Sequence, residues 1–322
     1  MKRRRLIFAA GALSVVPMLY AQGQRVRRVG ILLPSKVNEQ LLAPYRKRLG
    51  ELGWLEGRDL AFELRNADSR YERLPALARE LSRLNVDVIV TASTPATRAA
   101  KDATATIPIV FAWVADPVAS GLVASLARPG GNLTGLSNVA FEIAPKQLEL
   151  LKALVPNLQR VAELRDPKFD PAQSMTNQFK DAAARAGLAL VQVDASSAAD
   201  FGPAFAAAAR QRATAMVVPP LSPYADSAAR IAQLAKQHRI ATAFQVRGFV
   251  AAGGLVSYGS DLTDGFLRTA AYVDKILRGA KPADLPVEQA DRFELVVNRR
   301  TAAQLGLTIP QSVLLQATEV IE

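Results

Sequence analysis

The side chains able to do chemistry in this chain are few, and their types suit holding a solute better than transforming one. There is no cysteine and a single histidine, His238, near the end of an amphipathic helical stretch where a solvated terminal position is its expected use. With no thiol, no G-x-S-x-G elbow and no Walker A loop, nucleophilic catalysis and nucleotide hydrolysis have no seat. The missing cysteines also exclude disulfides, cysteine metal sites and a cysteine-linked lipid. No enzyme activity, cofactor or metal is therefore expected. What remains is a set of polar residues beside apolar runs: Ser35, Ser93, Thr94, Asp116, Asp166, Gln245, Tyr258 and Asp261. Hydroxyls followed by the free backbone N–H groups of a helix start, as at Ser93-Thr94-Pro95, can cradle a carboxylate. The same residues would equally cap that helix. Asp116 could take a ligand ammonium or cap the stretch that begins at Val118, and Asp166 and Asp261 carry the same choice. Tyr258 could stack on a ligand or pack into the interior.

These residues matter only if the surrounding elements bring them together. Residues 28–34 (RVGILLP) read as an apolar strand, and 107–114 (IPIVFAWV) as a strand buried on both faces. Between them, Leu41, Leu42, Tyr45, Leu49 and Leu52 recur at helical spacing and end on Gly53. Residues 60–64 alternate as a strand, and helices at 71–84 and 95–103 flank a strand at 86–91. Apolar residues over 118–126 show helical spacing, stopped by Arg128-Pro129-Gly130-Gly131. After a short extended crossing at 133–137 the alternation restarts. Helices at 146–154, 172–186, 201–211 and 227–238 alternate with strands at 160–164, 188–193, 215–218 and 242–246. Strand and helix in regular alternation mean parallel sheets covered on both faces, here as two successive α/β lobes. Ligands collect outside the carboxyl ends of such strands. That rule selects Ser35, the turn 92–94 and Asp116 on the first lobe. On the second it selects Asp166, the turn 219–222 and Gln245.

At 322 residues, half of them apolar, the chain can bury two cores. Its net charge of +11 is partly local. Lys2, Arg3, Arg4 and Arg5 precede an apolar stretch over 6–20 that is short for a membrane span, and Ala21 follows it. This reads as a secretory signal peptide over residues 1–21, whose removal takes the net charge from +11 to +7, four lower. Arg3-Arg4-Arg5-Leu6-Ile7 also fits a loose twin-arginine pattern. Leu19 stands where alanine is usual before a cleavage site, so an uncleaved anchor is the alternative. The other basic residues are scattered, as in Arg46-Lys47-Arg48 and Arg299-Arg300, with few aromatics between them and no helix-turn-helix ahead of the lobes. Nucleic acid is not an expected partner.

Three stretches resemble a known family. DPVASGLVASLARPGGNLTGLS (116–137), GGLVSYG (253–259) and AKPADLPVEQADRFELVVNRRTAAQLGLTIP (280–310) are similar to segments of the ABC-transporter substrate-binding proteins of the tryptophan/tyrosine type. The resemblance implies a type I periplasmic-binding fold, α/β with two doubly wound parallel-sheet lobes joined by three crossings. The lobes would comprise 26–137 with 254–286, and 138–253 with 287–322. It further implies a monomeric periplasmic receptor for a small solute, an amino acid or related carboxylate, that serves a membrane ABC permease with a separate ATPase. A periplasmic sensor reporting to a separate membrane signalling partner is the alternative. The chain departs from the family in reading Arg165-Asp166-Pro167 where relatives carry Asn-Pro, and Pro219-Pro220-Leu221 where an acidic residue is frequent. Relatives also commonly have a carboxylate near the Gln245 position. These departures weaken the means of holding an ammonium on the second lobe and make Arg165 a candidate partner for a carboxylate.

Overall fold

A computed structural model describes residues 25–36, 39–138, 140–169 and 171–322; the expected leader at 1–21 lies outside them. The first half builds strands β1 (Arg27–Leu33), β2 (Leu60–Asn66), β3 (Val88–Ala92), β4 (Ile109–Val114) and β5 (Leu133–Ser137), with helices α1 (Glu39–Glu51), α2 (Leu74–Arg83) and α3 (Thr94–Ala103) between them. All the pairings are parallel, in the order β2-β1-β3-β4-β5. The inner strands β3 and β4 are covered on both faces, which is why their residues are almost uniformly apolar, whereas the edge strand β2 carries Glu63, Arg65 and Asn66. Val29, Ile31, Val88 and Val90 pack on the α1 side with Tyr45 and Leu49. Leu32, Ile89, Ile109 and Phe111 pack on the opposite side against Leu77, Leu81 and Ala100 of α2 and α3. β5 lies so close to β4 that a Cβ at Gly135 would overlap the Phe111 carbonyl, and Gly135 holds a φ of +147° that only glycine takes readily.

The second half adds α4 (Ala140–Leu154), β6 (Arg160–Arg165), α5 (Pro171–Arg185), β7 (Ala189–Asp194), α6 (Phe201–Arg210), β8 (Ala215–Val218), α7 (Ser222–Ala225), α8 (Ala228–Gln237), β9 (Ala241–Phe244), α9 (Arg247–Ala251) and β10 (Val256–Ser260). The chain then runs through α10 (Leu262–Leu277), β11 (Glu288–Gln289), β12 (Phe293–Asn298), α11 (Arg299–Leu305), α12 (Gln311–Gln316) and β13 (Glu319–Ile321). The complete sheets are six strands ordered β11-β5-β4-β3-β1-β2 and seven strands ordered β13-β12-β10-β9-β8-β6-β7. Two α/β lobes thus form, as the alternation implies. The second sheet is parallel except where β12 runs antiparallel to β10.

Three sequence-based placements need correction. The segment over 254–260 stays in the second sheet instead of returning to the first. Leu255 and Val256 are fully buried in that lobe's core, and β10 pairs with both β9 and β12. The chain crosses at Asp261, and α10 then packs under the first sheet, placing Phe266 and Val273 among the α1-side core. The last crossing falls at 290–292 and not at 286–287, because β11 still pairs with β5. Residues 118–126 form no helix. Gly121 adopts φ +63° after a single turn, and the Pro117 carbonyl accepts from both Leu122 and Val123, which closes the turn and stops propagation.

Candidate functional site

The carboxyl ends of the two sheets face one another across the three crossings and enclose a cavity of about 180 Å³. Its first-lobe wall is Pro34 and Ser35 after β1, Ser93 after β3, Trp113 of β4, Asn138 after β5, and Leu262 at the start of α10. Its second-lobe wall combines Ile143 of α4, Pro220, Ser222 and Ala225 around α7, Gln245, Val246 and Phe249 after β9, and Ser260 at the end of β10. The lining is apolar and aromatic with a few polar groups, the usual make-up of a small-molecule site. Among the described residues none of these side chains is ionisable.

Backbone geometry aims several of the groups. The β4–β5 register shifts between Phe111 and Val114, and Trp113 sits in the bulge at φ +60°, an unusual conformation for a bulky residue. There its indole N–H donates to the Leu262 carbonyl at 3.0 Å, across to the second crossing. Ser93 is held at φ +79°, ψ 158°, a region populated almost only by glycine and worth about 1–3 kcal/mol of strain. Its N–H donates to the Ala112 carbonyl at 3.0 Å, and its carbonyl accepts from the Thr97 N–H and hydroxyl. Despite this fixed backbone, Ser93 Oγ is buried without a partner, and so is Ser260 Oγ on the facing lobe. On the second lobe, a Cβ at Gly259 would overlap the Gln245 carbonyl, so glycine there lets the Gln245 turn close against β10.

The lobes also touch at the rim. The Ser222 N–H donates to the Tyr71 hydroxyl at 2.9 Å, and Ser69 Oγ donates to Asp226 Oδ2 at 2.5 Å. The Tyr71 and Phe169 rings lie 5.6 Å apart. Burial, chiefly, pushes the Tyr71 phenol above its ordinary pKa, so it stays neutral.

Of the eight residues selected from sequence, Ser35, Ser93 and Gln245 line the cavity. Thr94 is buried at the start of α3, beside the lining residue Ser93. The other four do structural work. Asp116 Oδ1 accepts from the Val118 and Ala119 N–H groups. Asp166 accepts from Ser196 Oγ at 2.7 Å and from the Lys168 N–H. Asp261 caps α10 through the Thr263 and Asp264 N–H groups. Tyr258 stacks on Phe293 at 5.7 Å. In each carboxylate the short side chain reaches its own turn's unpaired N–H groups, a nearer partner than any solute. Arg165 is likewise engaged, in a two-pronged pair with Asp194. Ser260 was within reach of the strand-end rule but was hidden by assigning its strand to the wrong lobe. Trp113 gave no sequence signal, since the bulge that exposes it is a product of the β4–β5 pairing.

A family model described as ABC transporter substrate binding protein matches residues 43–321. The chain belongs to the ABC transporter substrate-binding protein family. This substrate-binding protein is 26 % identical over 261 residues to the tyrosine-binding protein of Clostridioides difficile, a match that covers 81 % of this chain and 75 % of that one. It is 31 % identical to a conserved domain protein of Vibrio cholerae, over 92 % of this chain and all of that one, with a TM-score of 0.85. An ABC domain from Streptococcus pneumoniae in complex with L-Trp is 27 % identical over 92 % of this chain and 100 % of that one, with a TM-score of 0.84. These likenesses bear out the type I two-lobe fold. Among the described residues no helix is long and apolar enough to cross a membrane, and no group of three or more His, Cys, Asp or Glu stands where it could hold a metal ion.

Proposed function

We propose that this chain is the periplasmic, monomeric solute receptor of an ABC importer, exported by its leader and serving a membrane permease with a separate ATPase. The solute is a small aromatic amino acid or a related carboxylate, bound in the interlobe cavity. The observation that carries this reading is the pair of buried, unpartnered hydroxyls, Ser93 Oγ and Ser260 Oγ, offered by opposite lobes to one enclosed space. A buried polar group without a partner is costly, and a solute that reaches both hydroxyls removes the cost only when the lobes are together. Binding then favours closure, because the closed form alone makes both sets of contacts. The tyrosine-binding and L-Trp-bound relatives support a ring-bearing solute, as do Trp113 and Phe249 in the cavity wall. A thermal-shift screen of residues 22–322 against aromatic amino acids, aromatic carboxylates, nucleosides and sugars tests this. The midpoint should rise with ligand concentration for members of the first two groups only. A folded sample that responds to neither group overturns the reading.

A further inference from the structure

The end of the second lobe farthest from the cavity carries charge of almost one sign. We infer that this pole is a docking surface for an anionic phospholipid bilayer. The inference goes beyond solute binding; only the choice of a bilayer among anionic partners rests on the receptor reading above, which sets the chain beside a membrane.

The basic residues there are scattered in the sequence and gathered by the fold. Arg160 begins β6, Arg212 precedes β8 and Arg239 precedes β9. Arg299 and Arg300 follow β12, which runs antiparallel to β10 and so ends beside the same turns. Because β6, β8, β9, β10 and β12 are neighbours in the sheet, these arginines span roughly 20 Å at about 4.8 Å per strand. Arg210 and Lys236 join them from the last turns of α6 and α8. All are exposed. Arg160 donates to the Gln211 carbonyl at 3.2 Å, and Arg299 pairs with Glu322 at 2.9 Å. Among the described residues the others form no ion pair, and the turns 155–160, 211–214, 238–240 and 252–255 contain no Asp or Glu.

Local helix chemistry does not account for this. A cation in the last turn of a helix complements the dipole, which covers Arg210 and Lys236 alone. Arg212 and Arg239 sit just past the caps of α6 and α8, at φ +60° and +53°. The two turns close alike: Arg212 N–H donates to the Ala209 carbonyl and Ala213 N–H to Ala208, as Arg239 N–H does to Lys236 and Ile240 N–H to Ala235. After α5, α9 and α10 the chain fills that position with Gly187, Gly253 and Gly279, since left-handed backbone disfavours a side chain. Arg299 and Arg300 open α11, the helix end that repels positive charge. Arginines set against local preference on one face are the pattern expected where function chooses the residue.

The kind of partner follows from what accompanies the charge. Among the described residues the exposed large apolar side chains are Val26, Leu55, Val118 and Leu315, none of them in these turns. A protein interface has an apolar core, and single-stranded nucleic acid is held by stacking aromatics. Guanidinium groups spread over a face with no apolar anchor suit a sheet of phosphates.

Co-sedimentation of the mature protein, residues 22–322, with sucrose-loaded vesicles tests this, using phosphatidylcholine alone and phosphatidylcholine with about 30 % phosphatidylglycerol. The expected result is partitioning onto the anionic vesicles at about 50 mM salt, none onto the neutral ones, and a roughly fivefold or larger drop at about 300 mM as the screening length shortens. Arg212→Gly combined with Arg239→Gly should cut partitioning roughly fivefold or more while holding or raising the melting midpoint, because glycine relieves both left-handed turns. Arg160→Gln combined with Arg300→Gln is a second variant and should cut partitioning likewise. Arg79→Gln combined with Arg83→Gln, at exposed positions on α2 of the first lobe, removes the same charge and should leave partitioning unchanged. No partitioning onto anionic vesicles, equal partitioning onto neutral ones, or an equal loss in the α2 control overturns the inference. Retention on immobilised poly-L-glutamate without partitioning onto vesicles assigns the pole to an acidic protein and overturns it as well. Solute binding, read by thermal shift, is untouched by any of these results.

Discussion

The rim contact between Tyr71 and Ser222 gives the sharpest quantitative test of closure. Tyr71 belongs to the first lobe and Ser222 to the second, so their 2.9 Å hydrogen bond exists only while the lobes are together. Replacing Tyr71 with phenylalanine keeps the ring against Phe169 and removes only the hydroxyl. The first N–H of α7 then loses its acceptor, at a cost of about 0.5–1.5 kcal/mol. Because the open form never had this bond, the whole cost falls on the closed form, and affinity should weaken about 2- to 12-fold. Tyr71→Ala also removes the aromatic contact, worth roughly another 0.5–1.5 kcal/mol, and should weaken binding further. Titration calorimetry reads the affinities, and small-angle scattering reads the ligand concentration needed to compact the protein. Tyr272→Phe is the control, since its hydroxyl donates to the Pro286 carbonyl at 2.8 Å within one lobe. It should lower the melting midpoint and leave affinity alone. Equal affinities for wild type, Tyr71→Phe and Tyr71→Ala would refute the reasoning.

Three further outcomes follow from particular contacts. Ser93→Gly relieves a backbone conformation costing about 1–3 kcal/mol against a glycine entropy cost of roughly 0.5–1 kcal/mol; thermal melts should show a higher midpoint while calorimetry shows weaker binding. Gly259→Ala drives a Cβ into the Gln245 carbonyl and should lower stability by about 1–3 kcal/mol, read by urea denaturation, with binding impaired because the Gln245 turn must shift. Glu163 is buried beside Thr176 and Gln192, and burial raises its carboxyl above the ordinary value. A raised carboxyl favours the fold when protonated, and that contribution is lost as pH climbs from the ordinary carboxylate range through the folded-state value. Glu163→Gln should therefore raise the midpoint at pH 7, with the gain vanishing by pH 4; a variant less stable at pH 7 would contradict this.

The two lobes were legible because short apolar runs rich in β-branched and aromatic residues, such as 107–114, suit strands covered on both faces. The crossings were harder to place. GGLVSYG reads as a linker by its glycines, yet Leu255 and Val256 are as buried as any core residue, and only the pairing with β9 and β12 reveals a strand. The helical spacing over 118–126 was real but lost to Gly121 and the doubly accepting Pro117 carbonyl. At the site, the strand-end rule found Ser35, Ser93 and Gln245, all of which line the cavity. It failed for Asp116 and Asp166, because sequence cannot distinguish a carboxylate facing a cleft from one folded back on its own turn. Trp113 was invisible, since its exposure to the cavity depends on a register shift between two strands.

The central claim is that a solute occupies the space between Ser93 and Ser260, and a crystal structure of the protein with 3-phenylpropanoate or an aromatic amino acid addresses it most directly. The expected result is one molecule enclosed between the lobes, an acceptor oxygen within hydrogen-bond distance of Ser93 Oγ, and a ring against Trp113 or Phe249. A ligand bound elsewhere on the surface, with the interlobe cavity holding only water, would contradict it.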